Sequence, residues 1–179
     1  MKRTLLIILS LILCLPVFWG CGKEPDFYDV VTVFIPTDGQ TAQPSNFPAE
    51  PPTLYVSNGK KAIDASYGTY SWFFDNEDGT GSSINADGSH PLDYKDHIQA
   101  IKVTKKTTLT LNFEEAPTSI TVKRYNFNTS DYGSYDEITV NGNSIEAEAG
   151  EYLYEVIAKW NNNSKPYGGT VYYAFRTEK

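Results

Sequence analysis

From Thr53 to the C-terminus, apolar side chains return at every second position in short runs, and no stretch holds the 3.6-residue period of a useful helix. A period of two sends alternate side chains to opposite faces of a strand. Leu109, Leu111 and Phe113 alternate strictly, as do Ile120 and Val122. Strands are predicted at 53–57, 60–65, 68–74, 98–103, 107–113, 119–125, 137–140, 144–147, 152–160 and 170–176. Short runs at this spacing predict an all-β chain folded as an antiparallel β-sandwich. Asn58-Gly59 and Asn141-Gly142 are dipeptides that close type I′ hairpins. They predict one hairpin joining the first two runs and another joining 137–140 to 144–147. The stretch 79–83 is rich in Gly and Ser and reads as a flexible loop.

The closing hairpin is the most informative segment. Tyr152, Tyr154, Val156, Ala158 and Trp160 share one face of their strand, and Leu153, Glu155, Ile157 and Lys159 share the other. The run Glu148-Ala149-Gly150-Glu151-Tyr152-Leu153-Tyr154 resembles the approach to strand F of immunoglobulin-like domains. There a Tyr makes a corner hydrogen bond and a Cys follows two residues later. The resemblance implies an immunoglobulin-like sandwich with Tyr152 at the corner and Tyr154 in the Cys position. It also implies Trp72 as the buried core tryptophan. The Cys pair is missing, so such a sandwich holds together without a disulfide.

The N-terminus reads as an address. Lys2 and Arg3 precede an apolar run from Leu5 to Phe18. That run falls short of the roughly 20 residues that span a bilayer and suits the h-region of a secretory signal. It ends Phe18-Trp19-Gly20-Cys21. Gly20-Cys21 resembles the end of the lipobox of bacterial lipoproteins, with Phe18 where Leu is usual and Trp19 where a small residue is usual. The resemblance implies cleavage before Cys21 and a diacylglyceryl group on its sulfur. It places the protein on the extracytoplasmic face of the cell membrane, held by its lipid. Cys14 follows the bulky Leu13 and fits the motif less well.

Three regions follow from this reading: a signal peptide at 1–20, a tether at 21–50 and a β-sandwich domain at 51–179. The tether contains Pro25, Pro36, Pro44 and Pro48, which favour extended backbone. Within it, Val30-Val31-Thr32-Val33-Phe34-Ile35 has strand composition and is expected to pair with the domain edge or with a partner. The segments around Pro51–Val56, Gly68–Trp72 and His90–Leu92, with the Tyr-rich closing hairpin, are together similar to small lipoproteins of Gram-positive bacteria whose role is unassigned. That resemblance implies a location and a fold, and no activity.

The net charge is −7, which leaves no basic stripe for phosphates and excludes nucleic acid as a partner. Two Cys and two His leave little for a transition metal, and no cofactor or metal is expected. The acidic run 75–81 invites a calcium reading, but the EF-hand spacing fails. A looser oxygen site with Asp87 and Asp93 competes there with a plain solvated hairpin. His90 and His97 lack metal-ligand spacing and read as turn residues. Neither a GxSxG elbow nor a phosphate-binding Gly loop is present.

Aromatics carry the functional signal. The chain has 13 Tyr, 9 Phe and 3 Trp, more than one buried face per strand accommodates. Tyr125, Phe127, Tyr132 and Tyr135 lie in or beside the polar segment 126–136, and Trp72 lies in the most aromatic strand. These five are the expected ligand contacts, with loops 126–136 and 75–93 as the expected surfaces. The expectation is a non-catalytic module, held at the membrane by its lipid, that binds a protein or another envelope component through aromatic loops. A carbohydrate-binding module for envelope glycan is the first alternative. An envelope hydrolase built on paired carboxylates from separate strands is the second.

Overall fold

The computed structural model describes residues 50–76, 78–161 and 165–179. The expected signal peptide at 1–20, Cys21 and the segment 30–35 lie outside the described residues. Eleven strands are described: β1 (Leu54–Ser57), β2 (Ala62–Asp64), β3 (Ser66–Asp75), β4 (Gly81–Ala86), β5 (Ala100–Lys102), β6 (Thr107–Phe113), β7 (Ser119–Asn126), β8 (Tyr135–Ile138), β9 (Ser144–Ala147), β10 (Tyr152–Trp160) and β11 (Tyr167–Glu178). They form two sheets packed face to face. One runs β2-β1-β6-β9 and the other β4-β3-β11-β10-β7-β8, with the short β5 added to β11 in parallel. Every other pairing is antiparallel. The molecule is therefore an all-β sandwich.

The order β11-β10-β7-β8 opposite β1-β6-β9 reproduces the G-F-C-C′ and A-B-E order of immunoglobulin-like sandwiches. Between the first two strands of that frame, β1 and β6, the chain inserts β2 to β5. The β3–β4 hairpin of this insertion widens the larger sheet beyond β11. Trp72 is a core tryptophan, as the resemblance implied, but it sits on inserted β3 rather than on β7, which occupies the C position.

The inward faces build the main core. Leu54, Val56, Leu109, Leu111 and Ile145 of the smaller sheet meet Trp72, Val122, Tyr154, Val156, Val171, Tyr173 and Phe175 of the larger. Each such side chain contributes roughly 1.5–3 kcal/mol when fully buried. Tyr154, in the position the resemblance gives to a Cys, stacks flat on its cross-strand neighbour Phe175 at 4.8 Å and 1°. The phenols of Tyr67 and Tyr173 donate to the carbonyls of Pro51 and Pro52, which fastens the first described residues to the sandwich.

Burial holds these phenols protonated. It raises Tyr154 to about 12 and also raises Tyr125 and Tyr173 above the ordinary phenol value of 10. In the unfolded chain the same groups ionise near 10, so above that pH the unfolded state binds fewer protons than the folded one. Their contribution to stability is full below pH ~10 and falls as pH rises through and beyond it. A phenolate absorbance titration should show the exposed tyrosines ionising reversibly near 10. The buried group should ionise only together with loss of sandwich structure.

Turn chemistry departs from the sequence reading at three places. Asn141 exchanges both backbone hydrogen bonds with Ser144, at 2.8 and 3.0 Å, so the central turn residues are Gly142 and Asn143. Only Gly142 has positive φ (62°), whereas a type I′ turn needs it at both central positions. The turn does not close a hairpin: β8 pairs with β7, β9 pairs with β6, and the chain crosses here from one sheet to the other. Asn58-Gly59 does close the expected β1–β2 hairpin, but through a four-residue link, not a type I′ turn, in which the Asn58 Oδ1 accepts from the amides of Lys60 and Lys61. At the third place, the corner bond expected of Tyr152, Thr177 does the tying. Its buried hydroxyl donates to Gly150 O at 3.0 Å and accepts from the Tyr152 amide at 3.2 Å.

The outer face of the larger sheet is partly covered as well. After β4 the chain crosses that face through two short 3-10 turns, Pro91–Asp93 and Lys95–His97, before reaching β5. Leu92 and Ile98 of this crossing bury themselves against Tyr125, Leu153 and Ala174. Some strands thus bury apolar residues on both faces, which accommodates part of the aromatic surplus.

Candidate functional site

Cross-strand register begins the site. On the outer face, Tyr125 of β7 stands opposite Leu153 of β10 and Tyr135 of β8, and Lys123 stands opposite Glu155. Tyr125 is buried, and its hydroxyl donates to Glu155 Oε2 at 3.4 Å. Lys123 Nζ lies 3.3 Å from the same oxygen and 4.7 Å from the Tyr135 ring centre. Glu155 is therefore a buried carboxylate held by a phenol and an ammonium, as a buried charge requires. Burial first, and the neighbouring Glu155 second, raise the Tyr125 phenol well above its ordinary range.

The crossing segment supplies the second half. His90 Nδ1 accepts from the Leu92 amide at 3.2 Å and caps the first 3-10 turn, with Pro91 fixing the next backbone angle. The imidazole stands edge-on to Tyr125 at 5.3 Å and lies flat against Tyr132 at 4.2 Å and 11°. The Tyr132 hydroxyl donates to the Asp93 carboxylate. That acceptor holds the Tyr132 phenol above its usual range.

The loop that presents Tyr132 is tied by its own polar groups. Asn126 Oδ1 accepts from the Asn128 amide, Thr129 Oγ1 from Asp131, and Asp131 Oδ1 from Gly133, all at 2.9–3.1 Å. Lys95 Nζ donates to Phe127 O at 2.5 Å and binds the loop to the crossing segment. Tyr132 and Tyr135 remain 50% and 43% exposed, two of the three large hydrophobics left at the surface among the described residues. The third, Tyr55 (37%), lies on the smaller sheet.

Of the five expected contact residues, Tyr132 and Tyr135 converge as exposed rings, whereas Tyr125 beneath them is 1% exposed and supports the rings without offering a ligand contact. Phe127 lies beside them, with Lys95 Nζ 5.1 Å and the Arg176 guanidinium 5.5 Å from its ring centre. Trp72 does not belong here. It is fully buried, edge-on to Trp160 at 5.4 Å and beside Tyr167 at 5.7 Å, and has no surface to offer a ligand. The expected surface 75–93 also divides. Its first part turns between β3 and β4, and only its last part, His90 to Asp93, reaches Tyr132. In the first part Asp78 accepts from the Thr80 amide and hydroxyl at 2.9 and 2.6 Å. Among the described residues no group of three or more His, Cys, Asp or Glu is placed to hold a metal ion.

No family model, curated protein or solved structure matches this chain. The site's meaning rests on its geometry. His90 and Asp93 fell within the expected surface 75–93 without being singled out as part of the site, and Lys123 and Glu155 were not singled out at all. His90 read as a turn residue, but nothing local signalled that this turn would lie against Tyr132.

Proposed function

We propose that this protein is a lipid-anchored, extracytoplasmic, non-catalytic binding module, and that the Tyr132–Tyr135 surface makes the contact. One observation carries the reading. Two exposed tyrosines are each held by the fold, Tyr132 by stacked His90 and the Asp93 carboxylate, and Tyr135 on β8 by Lys123 and the Tyr125 ring, where a solvated loop would leave them free. Tyr offers large contact area at low cost in conformational entropy, and fixing it beforehand lowers that cost further. A protein of the bacterial envelope is the partner this surface suits best. The Gly20-Cys21 motif supports the anchor, and an anchor raises the effective concentration of a binder near a membrane partner.

A second reading has its own support. The Tyr132 ring, backed by His90 at 4.2 Å, is a firm flat platform of the kind that stacks on a sugar. Titrating the chain with solubilised envelope glycan, followed through the resonances of Tyr132 and Tyr135, separates the two. Trp72 and Trp160 lie in the core and would report poorly. Saturable shifts would establish the glycan reading and displace the protein one. Silence with glycan, together with a saturable response to a purified envelope protein, would favour the first. Tyr132→Ala with Tyr135→Ala should then weaken binding by about 2 kcal/mol or more, roughly thirtyfold, with the unfolding midpoint little changed. For the anchor, Cys21→Ala should shift the protein from the membrane to the soluble fraction, and retention in the membrane would overturn that part of the proposal.

A further inference from the structure

Among the described residues β4 forms one edge of the larger sheet. An edge strand directs alternate N–H and C=O groups away from the sheet, and most proteins blunt such edges with charge, Pro, bulges or brevity. β8, the opposite edge, carries Asp136 and Glu137. In the smaller sheet, β2 has three residues and β9 carries Glu146. β4 has none of these devices. Its six residues, Gly-Ser-Ser-Ile-Asn-Ala, are uncharged, and their register with β3 runs unbroken from Gly81 to Ala86.

Side chains point the same way. Ile84 stands opposite Trp72, and both Ile84 and Tyr70 are half-buried at the rim of the main core. Six strands of the larger sheet oppose four of the smaller, so the inward face of β3–β4 ends in an apolar ledge. A further strand beside β4 would extend this ledge and bond to the edge groups that no described strand pairs.

We propose that Val30–Ile35 of this same chain is that strand and adds to β4. Three features support it. The segment has six residues, the length of β4, with no charge, and Val31, Val33 and Ile35 give it one wholly aliphatic face. Pro51 and Pro52, the carbonyls held by Tyr67 and Tyr173, lie near the start of β3, and Tyr70 of β3 pairs with Ala86 at the end of β4. Residues 36–50 connect the segment to that point and reach up to ~50 Å when extended, against ~20 Å for β4. A linker of this length gives an effective concentration on the order of millimolar, which favours the chain's own segment over a neighbour's. The inference does not depend on what the Tyr132 surface binds.

Hydrogen exchange on the full chain in detergent tests this. Pairing predicts protection of amides in Gly81–Ala86 and loss of part of it in Val33→Pro, which removes a donor and disfavours the strand. Exchange there should quicken roughly tenfold while β10 stays unchanged. Equal exchange in the two chains overturns the proposal. A Cys14→Ser, Cys21→Ser background with single cysteines at 31–34 paired with Ser83→Cys or Asn85→Cys gives an independent readout. Disulfides within one chain support the assignment. Disulfides only between chains would give β4 to a second copy, and no disulfide in any pairing would leave the edge unpaired; either result overturns it.

Discussion

Gly169→Ala is expected to destabilise the sandwich by about 3 kcal/mol or more, enough to unfold a marginal domain. Gly169 has φ +152°, where side chains are strained, and a Cβ built there would stand 2.1 Å from the Ser71 carbonyl oxygen. That oxygen belongs to the backbone of β3 and cannot swing aside. The register gives the reason for the glycine. Gly169 lies directly between Trp72 of β3 and Trp160 of β10. With no side chain between them, the two indoles meet edge to face at 5.4 Å across the width of β11. Urea unfolding measures the loss. A change below ~1 kcal/mol would mean that β11 does not approach β3 this closely.

Trp72→Ala is expected to cost about 3–5 kcal/mol, the range for emptying a large aromatic site in a core. Trp72 is fully buried and packs on Trp160 and Tyr167. Trp72→Phe should cost less, because part of the volume is kept. In chains that remain folded, neither change should alter affinity for a ligand of the Tyr132 surface. An affinity loss with unchanged unfolding would instead make Trp72 a contact residue and contradict its place in the core.

These two sites show what was legible in the sequence. Period-two alternation revealed the strands because each strand buries one face against a common core: 107–113 was read to the residue, and the tyrosines of β10 fell on the expected face. β4 escaped because its burial falls on Ile84 and two small residues, which leaves no alternation to detect. Sheet assignment escaped for another reason. Asn141-Gly142 announces a reversal, but whether the flanking strands bond to each other is decided by β6 and β7, which lie earlier in the chain and pair with β9 and β8. Separation along the chain also hid half of the site. Tyr132 and Tyr135 stood out as aromatics in a polar loop. His90 and Asp93 reach them only because Leu92 and Ile98 pin the crossing segment to the outer face.

The pre-oriented pair Tyr132 and Tyr135 is the proposed contact surface. Site-specific photocrosslinking in cells tests it most directly, with the crosslinker placed in turn at Tyr132, at Tyr135 and, as the control, at Tyr55 on the opposite sheet. One discrete adduct is expected from Tyr132 and from Tyr135 and none from Tyr55, and the Tyr135 adduct should be lost when Asp93→Ala frees the Tyr132 ring. Adducts of equal yield from all three positions, or a discrete adduct from Tyr55 alone, would contradict the proposal.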